Sequence, residues 1–332
     1  MSTPARKREV GRGERVLPGL WRLRLPLPWP GVPHCNAWAI AAGDGIVLVD
    51  CGYDEPGSLA HLERALDQVG LRLEHVRLLV CTHAHSDHYG QAGPVTDRAS
   101  CELWMHPNHA HTTAAQQDPA AGLARRMEIA RSAGVPQEPL ERYMEARREM
   151  PSGIARLVEP DRDLVDGVRF DSDLGAWEVV ETPGHAPSHV CLWQPERRLL
   201  ISGDHLLGRV SLYYDFGYSP DPAGEFLTSL ERVEDLGARL CLSGHGRTFT
   251  DVGAHITANR ELVADRVGRL LDVLRFDGPI SAFDAVPRLY EQAVTPMTAQ
   301  WWLSETLCYL THLEATGRAT RTADDPALWS AS

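Results

Sequence analysis

The stretch CTHAHSDHYG, residues 81–90, places His83, His85, Asp87 and His88 within six residues, directly after the apolar run VRLLV. Such a run reads as a buried strand, and the loop at a strand's carboxyl end is where α/β sheets place their chemistry. Two imidazoles at i and i+2 on an extended loop can point at one cation, while Asp87 and His88 face a second position about 3.5 Å away. The pattern H-x-H-x-D-H arises by chance on the order of a few times in a thousand chains of this composition. The cluster therefore reads as metal-binding and asks for further ligands elsewhere in the chain.

Three junctions offer them: ETPGHAPSH (181–189), ISGDH (201–205) and LSGHG (242–246). Each is built alike, with an apolar run, a glycine that lets the backbone turn sharply, and then a ligand. His185, Asp204 and His245 are the candidates, and Asp204 suits a bridging position because a carboxylate has two oxygens. A lone histidine is more often a hydrogen-bonded residue than a ligand. On that ground His189 is expected to orient its neighbours, His205 to point away from the metals because successive strand residues face opposite sides, and His106, His109 and His111 to lie on the surface.

With 332 residues, 43% of them hydrophobic, the chain can build a full core. Its first residues, MSTPARKREVGRGERVLPGL, lack an apolar secretory core and no stretch approaches a spanning helix, so a soluble, cytoplasmic protein without membrane contact is expected. The seven cysteines are scattered and never spaced C-x-x-C, which argues for small buried residues and against a disulfide framework or zinc ribbon. A formal net charge of −12 works against passive attraction to nucleic acid or an anionic membrane; a small-molecule substrate is the expected partner, with nucleic acid the less favoured one.

Along the chain, residues 1–18 read as a loose leader. AWAIAA (37–42) and IVLVDCG (46–52), joined by GDG, read as a hairpin, and 58–69 as a helix. Residues 108–151 carry helix formers and few strand signals, as a helical insertion would. Strand signals return from 157, and strands interspersed with helices suggest two sheets sandwiched between helices. From 254 the chain turns helical and Arg-rich (Arg260, Arg266, Arg269, Arg275). Residues 255–325 are expected to form a small subdomain and 326–332 a frayed end. Trp301 and Trp302 suit either core packing or a homo-oligomer contact.

THAHSDH, TPGHAPSH, SGDH and SGHG, in this order, resemble the metal motifs of the metallo-β-lactamase superfamily, and Asp50 of LVDCG resembles its first structural aspartate. The resemblance spans residues 35–250 and implies an α/β fold, an αββα sandwich over 19–254 with a dinuclear site at the sheet edge. It implies one zinc on His83, His85 and His185 and another on Asp87, His88 and His245, with Asp204 and a hydroxide bridging, and Asp87 and Asp204 as the catalytic carboxylates. Iron or manganese also suits such N and O donors. The tail is similar to the winged-helix-like C-terminal module of the branch that includes lactamase-like endoribonucleases.

Two metals sharing a water imply hydrolysis. β-Lactamases with a cysteine where this chain has Asp204 are disfavoured as a model for its activity. Acyl-homoserine lactonases carry a tyrosine where this chain has Leu207, and glyoxalase II shares the ligands but not the tail. A thioester or ester of a small acyl substrate is the expected substrate, with a lactone or RNA as the alternatives. Tyr213, Tyr214, Phe216 and Tyr218 of LYYDFGYSP are expected to form its aromatic wall, and 108–151 a lid.

Overall fold

Ile46, Val47, Leu48 and Val49 are apolar at four successive positions, which a strand supports only where both its faces are covered. The computed structural model, which describes residues 10–29, 31–290, 296–322 and 325–332, shows how. Ile46 and Leu48 pack in one cluster with Leu62, Leu66 and Val95 from helices, while Val47 and Val49 pack in another with Val179, Leu192 and Ile201 from a second sheet.

The first sheet has seven strands in chain order: β1 (Arg12–Leu17), β2 (Leu20–Trp29), β3 (Val32–Ala42), β4 (Gly45–Val49), β5 (Val76–Val80), β6 (Glu102–Met105) and β7 (Arg162–Asp163). β1 to β4 pair antiparallel and β4 to β7 parallel. Helix α1 (Ser58–Asp67), the one-turn α2 (Ser86–Tyr89) and α3 (Ala92–Ala99) lie within its crossovers, and α1 and α3 cover its outer face. The second sheet comprises β8 (Arg169–Phe170), β9 (Trp177–Glu181), β10 (Val190–Gln194), β11 (Leu199–Gly203) and β12 (Leu240–Ser243), in the order β12-β11-β10-β9-β8. The same alternation recurs there: Val190 and Leu192 face the first sheet, and Cys191 and Trp193 face the other way. The expected αββα sandwich is observed.

Residues 110–149 between β6 and β7 form α4 (Ala110–Gln117), α5 (Pro119–Ser132) and α6 (Gln137–Glu149), the helical insertion. Helix α7 (Pro222–Leu236) packs on the second sheet's outer face together with α8 (Val252–Asp277), α9 (Ala282–Leu289) and α10 (Pro296–Ala315). In α8 the buried Val252, Ile256, Asn259, Val263, Val267, Leu270 and Leu274 recur at steps of three and four, one helical stripe. β13 (Ile280–Ser281), β14 (Ala319–Arg321) and β15 (Leu328–Ala331) make a small sheet in the order β13-β15-β14. Trp302 stacks on Tyr290 at 4.8 Å and packs against this core. Among the described residues no helix is long and apolar enough to cross a membrane.

Two expected boundaries are corrected. Residues 12–17 of the supposed leader are the edge strand β1, and glycine makes that possible. A Cβ at Gly11 or Gly13 would collide with the carbonyl of His61 or Ala65, so the strand crosses α1 at close range, with Gly13 N donating to Gln68 Oε1 at 3.0 Å. Residues 1–9 lie outside the described residues. The C-terminal layer begins at Val252 rather than 255 and runs to Ala331, so the supposed frayed end is its central strand. There Trp329 is 2% exposed beneath Arg321, whose guanidinium sits 5.3 Å from the ring centre. Trp329→Ala is therefore expected to destabilise the protein by about 3–5 kcal/mol in urea unfolding. A loss under about 0.5 kcal/mol, as for an exposed residue, would contradict this packing.

Candidate metal centre

Strand ends of both sheets meet at one edge of the sandwich. Beyond β4, Asp50 adopts a left-handed conformation (φ 60°), uncommon for a residue with a side chain. Its Oδ1 accepts from Thr82 N at 2.8 Å, and its Oδ2 accepts from Thr82 Oγ1 at 3.0 Å and from His88 Nδ1 at 2.8 Å. From the second sheet, Gly203 turns the chain (φ 45°) so that Asp204 N donates to His189 Nε2 at 3.0 Å. His189 Nδ1 is in turn 2.8 Å from Thr182 Oγ1. Beyond β12, a Cβ at Gly244 would collide with Asp204 Oδ1, so only glycine lets His245 and Asp204 converge.

All seven expected ligands come together, in two groups. His85 Nδ1 lies 3.0 Å from His83 Nε2 and 3.1 Å from His185 Nε2. In the second group His245 Nε2 is 3.1 Å from Asp87 Oδ2 and 3.2 Å from Asp204 Oδ2, and His88 Nε2 is 3.5 Å from Asp87 Oδ2 and 3.3 Å from Asp204 Oδ1. Asp204 Oδ2 also reaches within 3.8 Å of His185 Nε2, so it stands between the groups. Tetrahedral coordination with bonds of about 2.0–2.1 Å puts ligand atoms roughly 3.3 Å apart, close to these separations. His88 Nε2 and Asp204 Oδ1 are buried and make no hydrogen bond, as expected of atoms kept for a cation. The residues fit a dinuclear metal site.

The outward ring nitrogens decide which way the lone pairs face. His185 Nδ1 lies 3.1 Å from Tyr213 O and His245 Nδ1 lies 3.0 Å from His34 O. A carbonyl only accepts, so both nitrogens carry hydrogen and each Nε2 can present its lone pair inward. His88 is held by Asp50, and His85 by Asp215, whose Oδ2 is 2.8 Å from His85 Nε2. His83 Nδ1 donates to Thr82 Oγ1 at 3.1 Å, because that hydroxyl gives its own hydrogen to Asp50.

Burial dominates the titration of the ring of His83, which falls well below 6.5, helped by His88 and His85. Burial and then His85 lower His185 to about 4. For His88 and His245 burial also pulls downward, but the facing carboxylates outweigh it. His88 rises through Asp87 and Asp204, and His245 rises to about 10 through Asp204 and Asp87. The carboxylates that hold these protons are the ones that would take a divalent cation in exchange for them.

Two residues that sequence reasoning missed complete the site. Asp215 is half-buried against His85, and its Oδ2 also accepts from His111 Nδ1 at 2.8 Å, while Tyr213 OH donates to its Oδ1 at 3.2 Å. His111 is buried, not on the surface, and its Nε2 lies 2.8 Å from Ser188 Oγ, which accepts from Ala84 N at 3.1 Å. Hence α4 is fastened to the ligand loop. His106 is also buried, 2.7 Å from Glu181, and His109 is half-buried beside Thr113. His205 is buried against Phe226, outside the ligand groups. Of the expected aromatic wall, Tyr213 flanks His85 and His185 at 5.8 and 5.7 Å and Tyr218 flanks His111 at 5.9 Å. Tyr214 is instead fully buried between Phe226 and Tyr309, and Phe216 packs on the C-terminal core. In the loop, neighbouring side chains diverge, so these two serve packing.

Residues 30–245 match the family model described as the metallo-beta-lactamase superfamily. The chain belongs to that superfamily, with the His and Asp set of a metallo-hydrolase. The probable metallo-hydrolase YqjP of Bacillus subtilis (strain 168) is 26% identical over 305 residues, 88% of this chain and 91% of that protein. A metallo-beta-lactamase family protein from Thermus thermophilus superposes with a TM-score of 0.82 at 26% identity, covering 96% of this chain and all (100%) of that one. An atrochrysone carboxyl ACP thioesterase of Aspergillus chevalieri is 23% identical over 240 residues, 72% of this chain and 60% of that protein.

Partners of ligating histidines usually contribute 10–100-fold to metal affinity. Asp50→Ala is expected to weaken metal binding by roughly that factor in a chelator competition. Unchanged affinity in the folded variant would show that Asp50 does not set the orientation of His83 and His88.

Proposed function

We propose that this chain hydrolyses a thioester or ester of a small acyl substrate at a dinuclear zinc centre, for which iron or manganese are alternative occupants. The observation that carries the reading is the pair of ligand groups sharing Asp204, with every histidine ring fixed from outside. His83, His85 and His185 would hold one ion and Asp87, His88 and His245 the other. When bound there, the ions would polarise an acyl oxygen and bring the pKa of water towards neutrality. The chain's own part is positional. Asp50, Thr82, Asp215 and the carbonyls of Tyr213 and His34 hold the imidazoles, and Asp204 spans both groups. Tyr213 stands beside the first group, and Tyr218 beside His111, as the wall against which an acyl chain would rest.

The thioesterase among the relatives supports an acyl substrate. A small-molecule partner is favoured over RNA by the fate of the arginines that give the tail its basic character. Arg260 pairs with Glu234 at 2.7 Å and Arg275 with Asp272 at 3.2 Å, while Arg266 lies over Tyr290 and donates to Leu289 O. The order helix, strand, helix, helix, hairpin over 252–331 supports the winged-helix-like reading of this layer, here in a packing role because its core is continuous with that of the second sheet.

The test is thiol release from neutral acyl thioesters by zinc-loaded protein. Turnover is expected, and Asp204→Ala should bring it to background. Thiol release that persists in Asp204→Ala, or an absence of thiol release from the wild type alongside cleavage of single-stranded RNA, would overturn the reading.

A further inference from the structure

Four of the five ligand imidazoles are held by groups outside the helical insertion: His83 by Thr82 Oγ1, His88 by Asp50, His185 by Tyr213 O and His245 by His34 O. His85 is held differently. Its partner Asp215 lies in the irregular stretch between β11 and α7, where no strand or helix fixes a side chain. The backbone there is tied down by Asp215 N, which donates to His185 O at 3.1 Å, and by Ser304 Oγ, which donates to Tyr214 O at 2.7 Å. The carboxylate itself is met by Tyr213 OH on Oδ1 and by His111, from α4, on Oδ2, the same oxygen that faces His85.

His111 is locked in turn. Facing a carboxylate, which only accepts, its Nδ1 carries a hydrogen. Its Nε2 lies 2.8 Å from Ser188 Oγ, and that oxygen accepts from Ala84 N at 3.1 Å, which leaves the hydroxyl hydrogen for His111. Ala84 stands between the ligands His83 and His85. A closed ring of hydrogen bonds thus runs from Ala84 through Ser188, His111 and Asp215 to His85, with His111 and Ser188 both buried. Its directions put a hydrogen on His85 Nε2 and turn the lone pair of Nδ1 towards His83 and His185. His85, His111 and Asp215 also lie close enough to gather a cation, but His85 would then need a lone pair on both ring nitrogens, and a neutral imidazole has one.

We propose that His111 is a positioning residue for the first ion: acting through Asp215 it fixes the ring of His85, so the helical insertion governs how tightly the His83, His85 and His185 group holds its metal. The Asp87, His88 and His245 group, whose rings are anchored by Asp50 and His34, does not depend on it. The inference rests on the dinuclear reading of the centre and on no assumption about the bond that is cleaved.

The test is zinc titration of the full-length protein against a chelator, with anomalous diffraction from crystals equilibrated at the chelator midpoint to show which ion leaves. Removing the partner of a ligating histidine costs roughly 10–100-fold in metal affinity. Asp215→Ala should therefore weaken the first ion by about that factor and His111→Phe by about tenfold, with the second ion unchanged in both. The double variant should bind the first ion no more weakly than Asp215→Ala alone, since His111 acts on the metal only through Asp215. His111→Asn, whose amide N–H can replace Nδ1–H towards Asp215, should recover most of the affinity, whereas a residue that only filled space would be better replaced by Phe. Additive losses in the double variant, equal weakening of both ions, or a first ion held as tightly by His111→Phe as by the wild type would overturn the proposal. Wild-type protein that binds a single ion would instead overturn the dinuclear reading on which it rests.

Discussion

The hydrogen bonds on the outward ring nitrogens are the constraint on which the rest of the site depends. Five imidazoles and two carboxylates crowded within 3.0–3.8 Å have no reason to stay in register on their own. They do so because carbonyls, a hydroxyl and two carboxylates hold each ring from behind. Asp50 is the hub, accepting three hydrogen bonds from a left-handed backbone conformation of the kind found where function over-determines structure. The sandwich supplies the rigidity. Parallel β4 and β5 put Asp50 and Thr82 side by side, and backbone bonds such as Val190 N to Thr82 O at 2.8 Å tie the two sheets at that edge.

The insertion is joined to both ends of this arrangement. At its start, His111 shares Asp215 with His85 and touches Ser188. At the end of α5, Ser132 and Ala133 accept backbone bonds from Ala327 and Phe283 of the C-terminal layer. The insertion thus links the first ligand group to the C-terminal layer.

Much of this was legible in the sequence because it is local. The H-x-H-x-D-H loop and the Gly-His and Gly-Asp turns encode their geometry within a few residues, and the all-apolar runs announce strands covered on both faces. What escaped is set by tertiary packing. Asp215 sits in an aromatic loop with no periodic pattern, and only the fold brings it to His85. His111 begins a helix in a polar stretch that reads as surface. RGERVL carries alternating charges of an edge strand and so resembles a leader, and Trp329 gains its partners only when β14 returns beside it. Tyr213 and Tyr214 are adjacent, and nothing in their order says which faces the metals.

The two ligand groups are suited to hold two cations that share Asp204. Anomalous diffraction from a crystal of zinc-loaded protein, recorded on both sides of the zinc edge, tests it most directly. Two peaks per chain are expected, one bounded by His83, His85 and His185 and one by Asp87, His88 and His245, with Asp204 beside both. A single peak, or a peak on Asp215 and His111 in place of the first, would contradict it.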